Sequence, residues 1–357
     1  MRDSGGAADA MDSGMKLNLA GHIVLPGLIN AHDHLEFNLF PQLGRGPYAN
    51  AGEWARDIYH PERSPIREQL RVPKAVRLWW GGLKNLVSGV TTVCHHNPYE
   101  REVFGAEFPV RVVRRFGWAH SLEFEPDLAA RYRKVPASYP FLVHCGEGVD
   151  AAARREVRSL EEIGALGART AIVHGVGIRG EGIALMRRRR ASLVWCPTSN
   201  LAMLGRTISR AVLRSGIPMA LATDSALSAP VDLLDELAVA RKYLPLDRLY
   251  AMVTSEPARI LRLGASRDWI AVRSDAATRA GALFAGAIAL VVVAGRIRLI
   301  SPELARQLPA TERRRFQALH IEGRAPVLVD ADIRALRRAA AKHLGADLRL
   351  AGKRILL

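Results

Sequence analysis

A (β/α)8 barrel of the TIM type, compressed around its third and fourth units, is the fold class this sequence predicts, and three observations predict it. Short apolar, β-branched runs alternate with helix-like segments, the rhythm of parallel βαβ units. Polar residues recur at the carboxyl ends of those runs, the face on which such barrels build their sites. The length, 357 residues, accommodates one barrel with additions as well as two ordinary domains.

The elements follow in order. The first apolar run, Val24 to Ile29, ends in Asn30-Ala31-His32-Asp33-His34. Residues two apart on a strand face the same side, so His32 and His34 present two imidazoles to one point. Residues 35–64 form a long loop with Tyr48, Trp54 and Tyr59, a candidate lid or substrate wall. A helix is expected over 66–87, closed by Gly89, and a strand over Val90–His96. Phe141–His144 precedes a helix at 150–165, and Ala171–His174 precedes one at 180–190. Leu193–Cys196 leads to Pro197-Thr198-Ser199-Asn200, Pro218–Thr223 leads to Asp224, and helices at 230–242 and 247–263 follow. Residues 94–140 must hold two βα units and the approach to a fifth strand, so the third and fourth units are short of chain. Beyond 264 the pattern changes: 285–300 reads as strands and a turn outside the barrel, 302–318 and 331–343 as helices, and 326–329 and 347–350 as short strands. The chain divides into a partial N-terminal β segment at 1–20, a barrel at 21–264, and a C-terminal β segment with a helical extension at 265–357.

Composition narrows the function classes. With 49% hydrophobic and 24% charged residues and a mean hydropathy of +0.01, the chain reads as a soluble globular protein. It has no uninterrupted apolar run of the ~20 residues a membrane span needs. Its first fifteen residues, with Asp3, Asp9 and Asp12, lack the apolar centre of a signal peptide, so a cytoplasmic location is expected. Cys94, Cys145 and Cys196 have no Cys-x-x-Cys spacing and read as small core residues in a reducing compartment. The net charge of +16 raises the question of nucleic acid. The basic excess is spread along the chain, and its densest run, Arg187–Arg190, closes a helix where cations suit the dipole. A solvated helix end is therefore preferred to a phosphate patch.

The strand-end polar residues share a chemistry. His32, His34, His144 and Asp224 offer three imidazoles and a carboxylate from separate strands, a donor set for one divalent ion, zinc ahead of iron, with a position left for water. Such an ion lowers the pKa of water toward neutrality. Glu147, three residues past His144, is a carboxylate in reach of both the water and a leaving nitrogen, suited to carry a proton between them. Asp224 can accept a proton as well as bind the metal. Taken singly, each residue has an ordinary reading: a core histidine, a helix-capping Glu147, a turn at Asp224. Taken together, metal-competent residues closing four apolar runs favour a site. His95, His96 and Glu123 also follow apolar segments; His96 and Glu123, with Trp54 and Tyr48 of the lid, are candidate substrate contacts.

In this order, His32-x-His34, His144 with Glu147, His174, Cys196-Pro197-x-Ser199-Asn200 and Thr223-Asp224-Ser225 resemble the amidohydrolase superfamily. They are most similar to its branch of cytosine, guanine and S-adenosylhomocysteine deaminases and triazine hydrolases. The similarity spans about 21–264, and the lead-in Leu25-Pro26-Gly27-Leu28-Ile29-Asn30 is typical of the superfamily. The resemblance implies that His174 orients the water or the substrate rather than completing the ligand set, and that Asn200 hydrogen-bonds a substrate amide or ring edge. It also implies one metal ion, because Gly117–Glu125, where a fourth strand falls, has no lysine to bridge two. Relatives carry several strands before the first histidine, so the small β domain is expected to be partial, with an open strand edge around 285–298 unless the C-terminal segment or a partner covers it.

The expected activity is metal-dependent hydrolysis of a C–N bond by activated water, with deamination of a nitrogen heterocycle preferred and Glu147, His174 and Asp224 as the catalytic residues. Hydrolysis of a cyclic or linear amide at the same site is the alternative. A non-catalytic barrel protein binding an anionic partner is the second, because fold does not settle function. The expected partner is a small molecule; nucleic acid and membrane are disfavoured, and a homo-oligomer is compatible.

Overall fold

Gly27 divides the first apolar run into two strands that serve different sheets. In the computed structural model, which describes residues 16–356, β1 (His22–Pro26) joins an antiparallel outer sheet and β2 (Leu28–Asp33) opens a parallel one. A Cβ on Gly27 would strike the Thr91 side chain, so this close crossing requires glycine. The β segment expected at 1–20 lies, apart from 16–20, outside the described residues.

The segment 35–64 is more ordered than a loop. After a 3-10 turn at Leu35–Phe37 it forms α1 (Ala51–Ile58), whose N-cap Asn50 accepts from the Glu53 N–H at 2.9 Å. The helix expected at 66–87 is two, α2 (Ile66–Arg71) and α3 (Lys74–Val87), because Pro73 disfavours helical backbone at Val72. β3 (Val90–His95) and β4 (Arg111–Val112) extend β2 in parallel, and β5 (Gly117–Ala119) starts a second parallel group. Only residues 113–116 separate β4 from β5, far fewer than the roughly dozen a crossover needs, so the third and fourth units share one extended run.

Next come α4 (Leu128–Lys134), β6 (Phe141–Cys145), α5 (Ala151–Glu162), β7 (Thr170–His174), α6 (Gly180–Arg189), β8 (Ser192–Trp195), α7 (Pro197–Leu204), α8 (Arg210–Leu213) and β9 (Met219–Leu221). α9 (Leu233–Ala240) follows, and the helix expected at 247–263 is again two, α10 (Leu246–Met252) and α11 (Ser255–Ile260). The parallel strands form sheets ordered β2-β3-β4 and β5-β6-β7-β8-β9. They meet at a parallel bridge between Asp33 and Asp224, with the Asp224 N–H donating to the His32 carbonyl at 3.1 Å. These strands are almost wholly buried, as a parallel sheet under helices must be, and Ala31, Cys94, Leu142, Val173 and Ala220 pack together on one face.

The remaining chain builds the outer sheet. β10 (Trp269–Arg273), α12 (Arg279–Ala285), β11 (Ala287–Val293) and β12 (Arg296–Ile300) are followed by α13 (Pro302–Ala305), α14 (Ala310–Arg313), β13 (Gln317–Ile321) and β14 (Val327–Val329). α15 (Ile333–Leu344), β15 (Arg349–Leu350) and β16 (Lys353–Leu356) end the described chain. The strands lie in the order β1-β10-β11-β12-β14-β13-β16-β15. The helix expected at 302–318 breaks at Pro309, and its end, where Leu319 and Ile321 alternate inward, becomes β13. The edge expected to lie open around 285–298 is covered, since β11 pairs with β10 on one side and β12 on the other. Arg324 and Lys353 tie this sheet to Asp232 and Asp235 of the α9 start, Arg324 at 2.7 and 3.0 Å. No described helix is long and apolar enough to cross a membrane.

Candidate active site

Strand alternation delivers His32 and His34 to one side of β2 and turns Asp33 to the other. His32 Nε2 lies 3.3 Å from Asp224 Oδ1 and 3.2 Å from Nε2 of His144 on β6, and His34 Nε2 lies 3.6 Å from the same Asp224 oxygen. Ser199 and Ser228 hydroxyls donate to Asp224 Oδ2 at 2.6 and 2.8 Å, which leaves Oδ1 for the histidines. His174 and Asp224 both take left-handed backbone, φ 73° and 59°, uncommon for non-glycine residues and concentrated at functional strand ends. His174 Nδ1 donates to Asn200 Oδ1 at 3.0 Å, so its Nε2 faces Glu147 Oε1 at 3.3 Å; Glu147 Oε2 is 3.6 Å from His144 Nδ1.

Two overlapping donor sets, His32 with His34 and Asp224, and His32 with His144 and His174, are each compact enough to share one ion. His174, which the resemblance keeps outside the ligand set, is thus within reach of it. Burial pushes His32 down to about 4 against the pull of its Asp224 bond, and it drives His144 well below the usual range, helped by the neighbouring imidazoles. Burial works to raise the Asp224 carboxyl, but the His32 hydrogen bond and the surrounding imidazoles outweigh it and hold the group below its ordinary value. Neutral imidazoles and an ionised carboxylate are the states in which these groups bind metal. The facing His32 and His144 nitrogens, and a buried His174 Nε2 without a hydrogen-bond partner, fit a shared cation. Glu147 goes the other way: burial, then Asp224 and Glu156, push its carboxyl well above the usual range.

The expected substrate contacts divide. Asn200 is fully buried, and its amide oxygen accepts from His174 Nδ1, a contact that orients that ring. Glu123 is exposed and ion-paired with Arg56 of α1 at 2.8 Å, and Trp54 donates to the Leu43 carbonyl at 3.2 Å while packing against Val176, Met203 and Leu204. Both make these contacts within or against residues 35–64. The Tyr48 hydroxyl is bonded to Asp57 inside the same segment. His96 packs its ring 4.7 Å from those of His32 and His144, with Nε2 bonded to the Ala119 carbonyl. His95 pairs with Glu36 at 3.2 Å.

Several contributors gave little signal. His120, just past β5, sets its ring 6.3 Å from His34 and 6.1 Å from His144, and burial brings it down to about 4. A strand of three residues shows no periodicity to mark its end. Asn97 accepts from His34 Nδ1 at 3.2 Å, a role set by a contact between strands. Lys84, inside α3, is buried against Asp33 and Thr223.

Residues 141–297 match the Amidohydrolase family model. The chain is 25% identical over 312 residues to a 5-methylthioadenosine/S-adenosylhomocysteine deaminase of Syntrophobacter fumaroxidans, covering 70% of this chain and 69% of that protein. A protein of the same description from Pyrococcus furiosus is 24% identical over 63% of this chain and 65% of its own. The chain thus spans about two thirds of these curated relatives. Among solved structures, an adenosine deaminase from Xanthomonas campestris with bound zinc aligns over 91% of this chain and 85% of its own, with a TM-score of 0.66 at 19% identity. An atrazine chlorohydrolase from Arthrobacter aurescens complexed with zinc aligns over 91% and 88%, with a TM-score of 0.58 at 18% identity. At such identities the likeness speaks for the fold, which is α/β and TIM-barrel-like.

Proposed function

The chain is a member of the amidohydrolase superfamily, and from that premise we propose that it is a metal-dependent hydrolase that deaminates a nitrogen heterocycle with water. The observation that carries this reading is a pair of donor sets that share His32, one with His34 and Asp224 and one with His144 and His174, beside a buried Glu147 carboxyl whose pKa is raised. A purely structural metal site has no use for a proton carrier at that place. A divalent ion held by these residues, zinc ahead of iron, supplies Lewis acidity that brings the pKa of water toward neutrality. Glu147 takes the proton from water and returns it to the leaving nitrogen; a carboxyl above its usual range is the better acceptor and still gives the proton back. Asp224, fixed by Ser199 and Ser228, is the second proton acceptor. His174, oriented by Asn200, holds the water or the ring nitrogen in line.

The same reading takes the eight parallel segments as a (β/α)8 barrel, compressed at β4 and β5 and closed at the Asp33–Asp224 bridge. The names of the deaminase relatives make an aminopurine nucleoside the first substrate to try. A small-molecule partner also suits the charge pattern, since Arg188 and Arg189 are paired with Glu161 at 3.1 and 2.7 Å. The three free, buried cysteines suit a cytoplasmic setting.

The test is ammonia release from adenosine, 5-methylthioadenosine, cytosine and guanine beside linear amides and cyclic ureides, with elemental analysis of wild type, His32→Ala and Asp224→Ala. The expected result is one metal per chain in the wild type, none in either variant, and ammonia from a heterocycle. Turnover of amides alone with the metal intact overturns the deaminase reading, and unchanged metal in both variants overturns the site.

A further inference from the structure

On the face of β2 that the ligands do not use, the chain buries another charge. Asp33 is wholly enclosed, and a carboxylate taken out of water needs an opposite charge and hydrogen bonds on its lone pairs. It has both. Lys84 Nζ, late in α3, lies 2.8 Å from Asp33 Oδ2, to which Asn85 and Asn30 amides donate at 2.7 and 3.1 Å; Asn38 donates to Oδ1 at 2.9 Å. Lys84 also crosses to the partner strand's end, donating to Thr223 Oγ1, next to Asp224, at 3.0 Å. Asn30 joins the same hydroxyl at 2.9 Å and accepts from the Thr223 N–H at 3.2 Å. α3 comes this close because Gly81 lies against Leu35, whose carbonyl oxygen would be 2.2 Å from a Cβ there.

We propose that the buried Lys84–Asp33 pair, tied to Thr223, is a positioning device that holds His32, His34 and Asp224 in their mutual arrangement before metal is bound. β2 and β9 are joined at the Asp33–Asp224 bridge rather than by an extended ladder, and Asp224 follows with left-handed backbone. Ladder bonds therefore join the Asp224 backbone to β2 at a single point, while the Ser199 and Ser228 hydroxyls that hold its carboxylate come from outside β2 and set no distance to the two histidines. The cluster of Lys84, Asn30 and Asn85 supplies the missing constraint from beneath, gripping the residue between the histidines and the residue before Asp224. Asp33 takes no part as a ligand, because its carboxylate is taken up by Lys84, Asn85, Asn30 and Asn38. Fold stability alone does not explain such a pair, since apolar residues of similar volume often serve as well; one defined geometry does. The inference rests on the reading that His32, His34, His144 and Asp224 hold a metal.

Its test compares the wild type with Lys84→Met, with the double variant Asp33→Asn, Lys84→Met, and with Thr223→Val. Three quantities are measured: zinc affinity by chelator competition, the visible spectrum of the cobalt-substituted protein, and the melting temperature without metal. Lys84→Met is expected to weaken zinc binding about 10- to 100-fold, the range for groups that orient metal ligands, and to change the cobalt spectrum. Thr223→Val keeps the ion pair but cuts its tie to the β9 end, and should weaken zinc binding several-fold with little change in melting. The double variant, having no unpaired charge, should recover the melting temperature but not the zinc affinity. Wild-type affinity and cobalt spectrum in both Thr223→Val and the double variant overturn the proposal and leave the pair a structural strut; those two variants decide the matter even where Lys84→Met fails to fold. A wild-type protein without stoichiometric metal overturns the site reading instead, so the two failures are distinct.

Discussion

The two halves of the donor cluster are held by different parts of the molecule. His32, His34 and Asp224 rest on the core, above Asp33, Lys84, Asn30, Asn85 and Thr223, none of which has appreciable exposure. His144 and Glu147 sit where the chain meets the surface lid. The loop carrying Glu147 is stitched to the lid by the Ala51 N–H on the Glu147 carbonyl at 2.9 Å, the Val149 N–H on the Ala49 carbonyl at 2.8 Å, and Asn50 Nδ2 on Asp150 Oδ2 at 2.7 Å. The proposed donor set therefore spans both networks, with His144 beside the Glu147 loop and His32, His34 and Asp224 on the core network.

The largest effect that sharpens this division is at Glu147. Glu147→Gln keeps the shape and removes the proton carrier, so kcat should fall by roughly 10²- to 10⁴-fold. Metal content and melting temperature should stay at wild-type values, because Glu147 is in neither donor set. Loss of metal together with activity, read by elemental analysis beside steady-state kinetics, would break the comparison.

A smaller effect lies on stability and carries a pH signature. Glu156 of α5 accepts from the Gly146 N–H just beneath the Glu147 loop, and burial pushes its carboxyl from 4.5 to about 7, with Asp150 and Glu123 adding to the rise and the Gly146 bond opposing it. A folded pKa above the unfolded value means that the stabilisation is fully present below pH 4.5 and is lost as pH rises through 7. At 1.36 kcal/mol per unit, that is about 3 kcal/mol. Glu156→Gln, always neutral and still an acceptor for the Gly146 N–H, should match the wild type near pH 5 and be the more stable protein above about pH 8. Urea unfolding at both pH values measures it, and zinc affinity should not change, since Glu156 bonds to the Gly146 N–H and to none of the proposed donors.

How far the sequence could be read follows the same division, but in reverse. His32, His34, His144, His174, Glu147 and Asp224 were legible because each punctuates an apolar run, and a strand end is visible without knowing its neighbours. The supports of the core network were not. A lysine inside a helix that is amphipathic in pattern reads as solvent-facing, and only the packing of α3 on β2 buries Lys84 against Asp33. Asn200 and Trp54 stand out in the sequence as candidate substrate contacts, but the partners they have here, His174 and the Leu43 carbonyl, are set by tertiary contact. The split of 66–87 at Pro73 was readable from the restriction on the residue before proline, which the apolar periodicity masked. The shortage of chain at 94–140 did show in the spacing, and it appears as one run shared by β4 and β5.

The smallest effect tests whether residues 35–64 govern the Glu147 loop. Asn50 has two contacts: its Oδ1 accepts from the Glu53 N–H at 2.9 Å and caps α1, and its Nδ2 donates to Asp150 Oδ2 at 2.7 Å. Asp150 keeps its own place, since its Oδ1 caps α5 through the Ala153 N–H at 2.8 Å. Losing an N-cap costs about 1 kcal/mol, so Asn50→Ala should lower kcat by roughly 5-fold through a less firmly held Glu147 loop and leave zinc affinity alone. A fall in zinc affinity would mean that the lid reaches into the core network. Asn50→Asp separates the two contacts, because it retains the cap while setting a second carboxylate against Asp150. A rate like the wild type's assigns the effect to the cap of α1, and a rate like that of Asn50→Ala assigns it to the tie between the lid and the Glu147 loop.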